Sequence, residues 1–288
     1  MRKFKEFIIE KLILFSGLAS IFFVVLIFLF LLKEGLAVFK TVGFFDFLLG
    51  KKWYPISEPA RLGILPLILG SLLVTLGAAL ISIPIGVGCA VYIAEVAPLK
   101  IKEILKAGIE LLAAIPSVVL GFIGMVTLVP WVKHMFKIPT GLTALSGSIM
   151  LAFMAMPTIV SIAEDALYSV PKAYKEGALA LGATHWQAIY RVIVPAASPG
   201  IMAAVMLGLG RVIGETMAVM MITGNAAVIP RSILEPVRTL TATIAAEMGE
   251  AVVGSEHYFA LFAVGIVLFV ISFAINVGAD LFLHKENK

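Results

Sequence analysis

The sequence predicts an all-α, polytopic membrane protein with six transmembrane helices. Of its 288 residues, 61% are hydrophobic and only 14% are charged, whereas soluble domains carry about 25% charged residues. The apolar residues also occur in long runs, several of them as long as the roughly 20 residues that a helix needs to cross a bilayer. A soluble fold could not hide so much apolar surface, because most of its exterior meets water.

Six apolar segments define the predicted spans of a single transmembrane domain, 1–288. The first is longer than the apolar core of a signal peptide, so we expect a retained helix with its N-terminus in the cytoplasm. Pro66 and Pro84 interrupt the second, which predicts an interfacial part followed by a kinked span. The placement of Lys and Arg favours this orientation only weakly. The predicted spans are 12–32, 62–94, 107–132, 141–163, 196–228 and 257–283.

The remaining composition argues against several other classes of protein. The net charge of +4 is small, and no basic stripe interleaved with aromatic residues suggests nucleic-acid binding. The single cysteine, Cys89, cannot form a disulfide within the chain, and the four histidines lie too far apart in sequence to predict a metal site. The sequence contains no G-x-x-x-x-G-K-[ST] motif, so we expect no ATP binding through a P-loop in this chain.

The segment 164–195, between the fourth and fifth spans, predicts a helix, a break and a second helix. Pro171 suits a first helical turn, where its missing N–H costs little. Gly182 can adopt the left-handed conformation that ends a helix. Thr184 and Gln187 have the spacing of a capping box, and Pro195 is expected to end the second helix. The sequence therefore predicts a short, rigid helical hairpin held between two membrane helices.

This hairpin resembles the cytoplasmic coupling loop of ABC-importer permeases. The motif of that loop is Glu-Ala-Ala, three residues, Gly, nine residues and Ile-x-Leu-Pro. The alternative is an ordinary amphipathic hairpin at the membrane interface, but the position between the fourth and fifth of six spans favours the coupling loop. Gly177 replaces the first Ala of the motif, and valines replace its Ile and Leu. The matching positions are Glu176, Ala178, Gly182, Val192, Val194 and Pro195.

Other stretches resemble the C permease of Pst-type phosphate transporters. They are 115–122, 207–219, 236–248 and 258–262. The resemblance implies the ABC importer type I permease fold, phosphate as substrate and the plasma (inner) membrane of a prokaryote, with both termini and the loop 164–195 cytoplasmic. It also implies three partners. A separate ATPase subunit binds and hydrolyses the ATP, so this chain is expected to be a non-catalytic transport subunit without a cofactor. The other two are a sister permease in a heterodimer and an extracytoplasmic phosphate-binding protein. The alternatives are a permease for sulfate, molybdate or another oxyanion, a secondary anion transporter, and a structural membrane subunit.

Two charged residues in the fifth span are candidates for substrate contact. A charge at mid-membrane costs about 2.5–3.5 kcal/mol on insertion scales. Arg211 and Glu215 are four residues apart, so on a continuous helix they could pair as a purely structural clamp. In the alternative interpretation, the Arg211 guanidinium binds two phosphate oxygens. The Glu215 carboxylate, which only accepts hydrogen bonds, tolerates the P–OH group of phosphate and repels sulfate.

Other polar residues complete the sequence hypotheses. Ser117 and Thr216 join Arg211 and Glu215 in the predicted substrate pathway. Thr158, Ser161 and Asn225 could also line this pathway. The alternative for each of these polar side chains is a hydrogen bond to a carbonyl of its own helix. We expect Glu164 and Asp165 to be solvated at the cytoplasmic end of the fourth span. We expect Glu247 and Glu250 to lie in an outer loop and to contact the binding protein.

Overall fold

The computed structural model describes residues 2–286 as helices joined by loops, with one small β-hairpin. The two strands are β1 (Trp53–Tyr54) and β2 (Arg61–Leu62), which pair antiparallel. The α-helices are α1 (Arg2–Gly35), α2 (Phe44–Leu49), α3 (Leu65–Val91), α4 (Leu99–Ala114), α5 (Ser117–Val126), α6 (Leu128–Phe136), α7 (Ala144–Tyr168), α8 (Lys172–Ala180), α9 (His185–Ala188), α10 (Val194–Ala196), α11 (Ser198–Gly214), α12 (Met217–Ile222), α13 (Leu240–Glu247) and α14 (Glu256–Glu286). A 3₁₀-helix covers Leu36–Lys40, and π-helical turns cover Tyr92–Val96 and Ile189–Ile193.

The long apolar helices agree with the predicted class of protein. Within residues 2–286, five helical segments are long and apolar enough to cross a membrane, and a sixth is counted if one bent pair forms a single span. The bent pair is His185–Ala196 and Ser198–Gly214, with an angle of 68° between its halves. The two prolines do not divide the second predicted span, which is one helix of 27 residues. Pro66 lies in the first turn of α3, and Pro84 lies inside the helix.

Two predicted spans are not single helices. The third, predicted over 107–132, is divided among α4, α5 and α6, and the apolar membrane-length segment begins only at Ser117. Ile115 precedes Pro116 and is extended, with ψ 128°, because the proline ring disfavours the helical conformation in the residue before it. The fifth, predicted over 196–228, consists of α11 and α12 with a break at residues 215 and 216, and its helical part ends at Ile222.

Helix α7 lies at the centre of the fold between α3 and α11. Small residues allow these helices to approach closely, as is usual in membrane bundles. A Cβ atom added to Gly208 of α11 would lie 2.5 Å from the Ile159 side chain of α7, and one added to Gly86 of α3 would lie 2.9 Å from the same side chain. Helix α1 packs along α14, and much of its remaining apolar surface is exposed.

The segment 223–239 folds back against the start of α7. Its carbonyls at Ile233 and Glu235 accept hydrogen bonds from the N–H groups of Leu145 and Ala144, at 2.8 and 3.0 Å. These are first-turn donors that a helix cannot satisfy internally. The loop therefore caps α7 and leads directly into α13.

Candidate functional site

The fifth span is broken at Glu215. This residue ends α11 with ψ 131°, and Thr216 separates it from α12. The carboxylate Oε1 of Glu215 accepts the backbone N–H of Ala218 at 3.1 Å, so the charge stands at the start of α12, where backbone donors favour an anion. Thr216 Oγ1 donates to the carbonyl of Gly214 at 3.2 Å. Thr241 Oγ1 donates to the carbonyl of Glu215 at 2.9 Å.

Arg211 lies in the last turn of α11 and is exposed. Its Nη1 donates to Thr158 Oγ1 of α7 at 3.4 Å. Among the residues that the structure describes, no Arg211–Glu215 pair lies within 4.0 Å. The clamp considered from the sequence requires a continuous helix between the two residues, and that helix ends before Glu215.

Ser117 is the first residue of α5 and is half-buried. Helix α5 packs on α12 through glycines: Cβ atoms added to Gly121 and Gly124 would lie 2.9 Å from Ala218 Cα and 2.7 Å from Ile222 Cδ1. Both contacts follow a nearly constant offset along parallel helices, which puts Ser117 level with the break in the fifth span. Ser117, Glu215 and Thr216 thus lie at the level of the break, and Arg211 lies one turn before it on α11.

The predicted coupling hairpin forms, with its expected turn chemistry. Gly182 has φ +85°, and Thr184 and Gln187 make both hydrogen bonds of the capping box, at 2.9 and 3.3 Å. Glu176 and Gly177 lie exposed on α8, and Ala178 lines a groove of about 430 Å³ between α8 and α9. Tyr174 and Leu181 line this groove and are exposed. Leu179, Trp186 and Tyr190 of the same hairpin are also exposed.

The prediction that Pro195 ends the second helix is wrong. Helix α9 continues through the π-helical turn into α10, and the chain bends only after Ala196. A proline normally clashes with the carbonyl four residues back, here that of Arg191. The wider π turn lies at that carbonyl, so the helix accommodates the proline inside its last turn.

The expectation that Glu164 is solvated is wrong. Its side chain is 2% exposed and lies between two lysines of α4, with Oε2 2.8 Å from Lys106 Nζ and Oε1 3.3 Å from Lys102 Nζ. Lys102 also lies over the ring of Tyr168, 3.7 Å from its centroid. The hydrogen bond to Glu164 raises the pKa of Lys106 against the opposing effect of burial. This cluster fixes α4 to the end of α7, where the hairpin begins.

Glu247 is the centre of a second polar cluster, which the sequence does not predict. It lies at the end of α13, and its carboxylate binds the Arg238 guanidinium, Trp53 Nε1 at 3.0 Å and His257 Nε2 at 2.8 Å. Asn225, considered above as a residue of the fifth span, lies beyond it and accepts from Arg238 Nε at 2.8 Å. The partners are up to 194 residues away from Glu247, so no local pattern could have revealed them.

Comparisons with known proteins agree with this architecture. Residues 82–287 match the family model described as the binding-protein-dependent transport system inner membrane component. The chain is 44% identical over 247 residues to the probable ABC transporter permease protein YqgH of Bacillus subtilis, covering 85% of this chain and 80% of that protein. It is 38% identical over 255 residues to the phosphate transport system permease protein PstC of Mesorhizobium japonicum, covering 82% and 77%.

Solved structures are similar at the level of the fold. A bacterial ABC transporter that imports the polysaccharide alginate contains a chain with a TM-score of 0.67 at 19% identity, with full coverage of both chains. A chain of the MetNI methionine ABC transporter gives 0.61 at 20% identity, covering 81% of this chain and all of that one. The predicted type I ABC permease fold is therefore confirmed. The chain belongs to the family of inner-membrane components of binding-protein-dependent transport systems and is a multi-pass transport permease related to the PstC proteins.

Proposed function

We propose that this chain is the permease subunit of an ATP-driven importer of inorganic phosphate, and that it forms the translocation pathway with a sister permease chain. Its PstC relatives are named as phosphate transport permeases, and 38% identity over most of both chains supports the same substrate. The ATP is bound by a separate ATPase subunit, and a phosphate-binding protein delivers the anion on the opposite side.

The coupling hairpin supports the orientation and the position of the ATPase. It presents an exposed surface of aromatic and aliphatic side chains around a groove, and such a surface on a loop between spans is typical of a protein interface. We propose that this surface faces the cytoplasm and binds the ATPase, with Gly182 shaping the hairpin. With the bent pair counted as one span, the five long helices and this pair make an even number of spans, so we propose that both termini also lie in the cytoplasm.

One observation carries the substrate assignment: Arg211 has no carboxylate partner among the described residues, although it belongs to an apolar helix. An arginine placed in a membrane segment is costly and normally pairs with a counter-charge or serves transport. Its only side-chain partner within residues 2–286 is the hydroxyl of Thr158, at 3.4 Å. A passing phosphate would supply the missing counter-charge through two oxygens matched to the guanidinium.

Glu215 contributes selectivity in this proposal. Its Oε1 accepts the N–H of Ala218, and the other oxygen remains able to accept a hydrogen bond. Phosphate near neutral pH carries at least one P–OH donor, whereas sulfate has none. The carboxylate therefore binds the proton-bearing oxygen of phosphate and repels the fully ionised anion.

The test replaces Arg211 by lysine in the complete transporter, reconstituted with the ATPase, the sister permease and the binding protein. Lysine keeps the charge but loses the planar fork of donors. Loss of one charge-assisted hydrogen bond costs about 1.5–3 kcal/mol, and about 1.4 kcal/mol is a tenfold change, so phosphate uptake should fall at least about tenfold. Arg231→Lys, at an exposed arginine of the loop 223–239, is the matched control and should keep normal uptake.

The same vesicles distinguish the alternatives. Uptake of sulfate or molybdate instead of phosphate by the unmodified transporter would identify another oxyanion as the substrate. Normal phosphate uptake by Arg211→Lys would remove Arg211 from the pathway. Uptake that continues without ATP would indicate a secondary transporter, a class that the family assignment argues against.

A further inference from the structure

Helix α13 joins the break in the fifth span to the Glu247 cluster. Its first turn contains Thr241, which donates to the carbonyl of Glu215, and its last residue is Glu247. The helix has eight residues, and at about 1.5 Å per residue it spans roughly 12 Å. One short element therefore contacts both the candidate anion site and the polar cluster at the far end of the loop 223–239.

The Glu247 end of α13 is held by three separate parts of the chain. Trp53 belongs to the β-hairpin, Arg238 to the end of the loop 223–239 and His257 to the first turn of α14. These groups line a cavity of about 560 Å³ together with the hairpin residues 54–57 and the exposed Glu250. A rearrangement of the β-hairpin or of the loop must therefore alter the contacts of Glu247.

The other end of α13 is anchored as firmly. Thr239 caps the helix by accepting the N–H of Ala242 at 3.2 Å, and Ser71 of α3 accepts the N–H of Leu240 at 2.9 Å. The hydroxyl of Thr239 lies 3.1 Å from that of Thr241. The Thr241 hydroxyl can accept from Thr239 and still donate to Glu215, so its proton is directed at the carbonyl of the break.

We propose that Thr241 and Glu247 are positioning residues for transport. Glu247 fixes the C-terminal end of α13, and Thr241, near the N-terminal end, holds the backbone carbonyl of Glu215. The position of α13 therefore determines the position of the Glu215 backbone. The carboxylate of Glu215 and the nearby Arg211 are the groups proposed to face the anion. Glu215 has an extended ψ, so its carbonyl has left the helical hydrogen-bond series and depends on Thr241. This inference rests on the proposed role of Arg211 and Glu215, and it extends that role to residues that do not touch the anion.

A matched pair of threonines tests the inner contact. Thr241 and Thr243 are both buried in α13, but Thr243 Oγ1 donates only to the carbonyl of Thr239 in its own first turn, at 2.8 Å. In the reconstituted transporter, Thr241→Val should lower the maximal rate of phosphate uptake about fivefold, the factor expected for one lost hydrogen bond. Thr243→Val should change it less than about twofold, and Thr241→Ser should restore the rate.

The readout must separate positioning from stability. In Thr241→Val the maximal rate should fall. The concentration of loaded binding protein that gives half-maximal uptake should stay the same, because Thr241 is buried and the surface that meets the binding protein is unchanged. Amounts of assembled complex are measured for every variant. Equal effects of Thr241→Val and Thr243→Val, or a loss that Thr241→Ser does not restore, would overturn the proposal.

A second pair tests the outer contact. Glu247→Gln keeps an acceptor for Trp53 but removes the charge that holds Arg238, so it should also lower the maximal rate. Glu256→Gln, at an exposed carboxylate in the first turn of α14, is the control and should not. The effects of Thr241→Val and Glu247→Gln should be clearly less than additive, because both act through α13. Fully additive effects would show that the two ends act separately. If Arg211→Lys transports normally, the proposed function fails; if only the α13 variants behave like their controls, this inference alone fails.

Discussion

Lys175 of the coupling hairpin donates a hydrogen bond to Glu95, at the π-helical end of the second span. The two side chains are only 31% and 12% exposed, so this ion pair is better shielded from solvent than most surface pairs. It is a direct polar link between the surface proposed to bind the ATPase and a membrane helix. We therefore expect a movement of α8 to reach α3 directly through this pair.

The first prediction concerns this pair. Lys175→Glu should reduce phosphate uptake per ATP hydrolysed, because two carboxylates would then face each other. Adding Glu95→Lys should restore much of the coupling, since the attraction is symmetric, with an interaction energy of about 1 kcal/mol in the double-mutant cycle. Lys172→Glu, on the same helix, is the control. A double variant no better than Lys175→Glu would show that the pair does not transmit motion.

The second prediction concerns the two glycines of the hairpin. A Cβ atom would meet nothing within 4 Å at either Gly177 or Gly182, but only Gly182 has a positive φ, +85°. Gly177→Ala should keep transport and stabilise α8 by about 0.5–1 kcal/mol. Gly182→Val should impair complex assembly or transport, because a β-branched residue strongly resists this conformation. Normal uptake by Gly182→Val at normal expression would exclude a coupling role for this turn.

The third prediction concerns anion selectivity. Glu215→Gln keeps an oxygen to accept the N–H of Ala218, removes the negative charge and adds a donor. We expect the variant to assemble and to discriminate less between phosphate and sulfate, measured as sulfate uptake or sulfate-stimulated ATP hydrolysis with a binding protein that delivers sulfate. Unchanged selectivity would limit Glu215 to capping α12.

The fourth prediction concerns the buried Glu164. Glu164→Ala would leave Lys102 and Lys106 facing each other without a counter-charge, so the purified complex should lose about 1–3 kcal/mol of stability, seen as a lower melting temperature. Asp165→Ala, at the exposed neighbour, is the control and should have little effect.

The same cluster has a defined pH dependence. The pKa of Lys106 is raised by its hydrogen bond to Glu164. The stabilisation from Lys106 is therefore complete below the ordinary lysine pKa of about 10.4 and is lost only as the pH rises through the raised value. Between about pH 7 and 9 the melting temperature should show no loss attributable to Lys106; a decline that Lys106→Ala abolishes would contradict this.

The fifth prediction concerns orientation. In a Cys89→Ala background, cysteines are introduced separately at Tyr174 and Val252, which are 54% and 74% exposed on the hairpin and on the loop before α14. An impermeant thiol reagent added outside sealed cells should label the cysteine at 252 and not the one at 174. The reverse pattern would place the hairpin outside and remove its proposed ATPase partner.

Local patterns in the sequence predict local structure well. Hydropathy locates the long apolar helices, because the bilayer demands runs of that length. The hairpin turn follows from Gly182, Thr184 and Gln187, since capping and left-handed turns depend on residues only a few positions apart. Pro116 marks a helix boundary, but a hydropathy reading passes over it because the flanking residues are apolar.

Tertiary contacts account for what the sequence could not predict. The Arg211–Glu215 pair assumed a continuous helix, whereas the break at Glu215 is held open by Ala218 and by Thr241, 26 residues away. Glu164 looked like a solvated end residue because its lysine partners lie on α4, which folds back onto α7. Burial of this kind follows from the arrangement of helices and leaves no pattern near the residue itself.

The glycine contact between α5 and α12 has a mechanical consequence. At Gly121 and Gly124 no side chain of α5 separates the two helices. Such close packing resists sliding of one helix along the other, because no side chain between them can change rotamer to make room. The pair is bounded on one side by two non-helical joints, at residues 115–116 and 215–216. These joints lie at the same level, so a movement of α5 and α12 together would bend the backbone there, about a common axis. Rotation about that axis would swing α5 and α12 as one flap, with Ser117 and Glu215 remaining at the pivot while the far ends open or close.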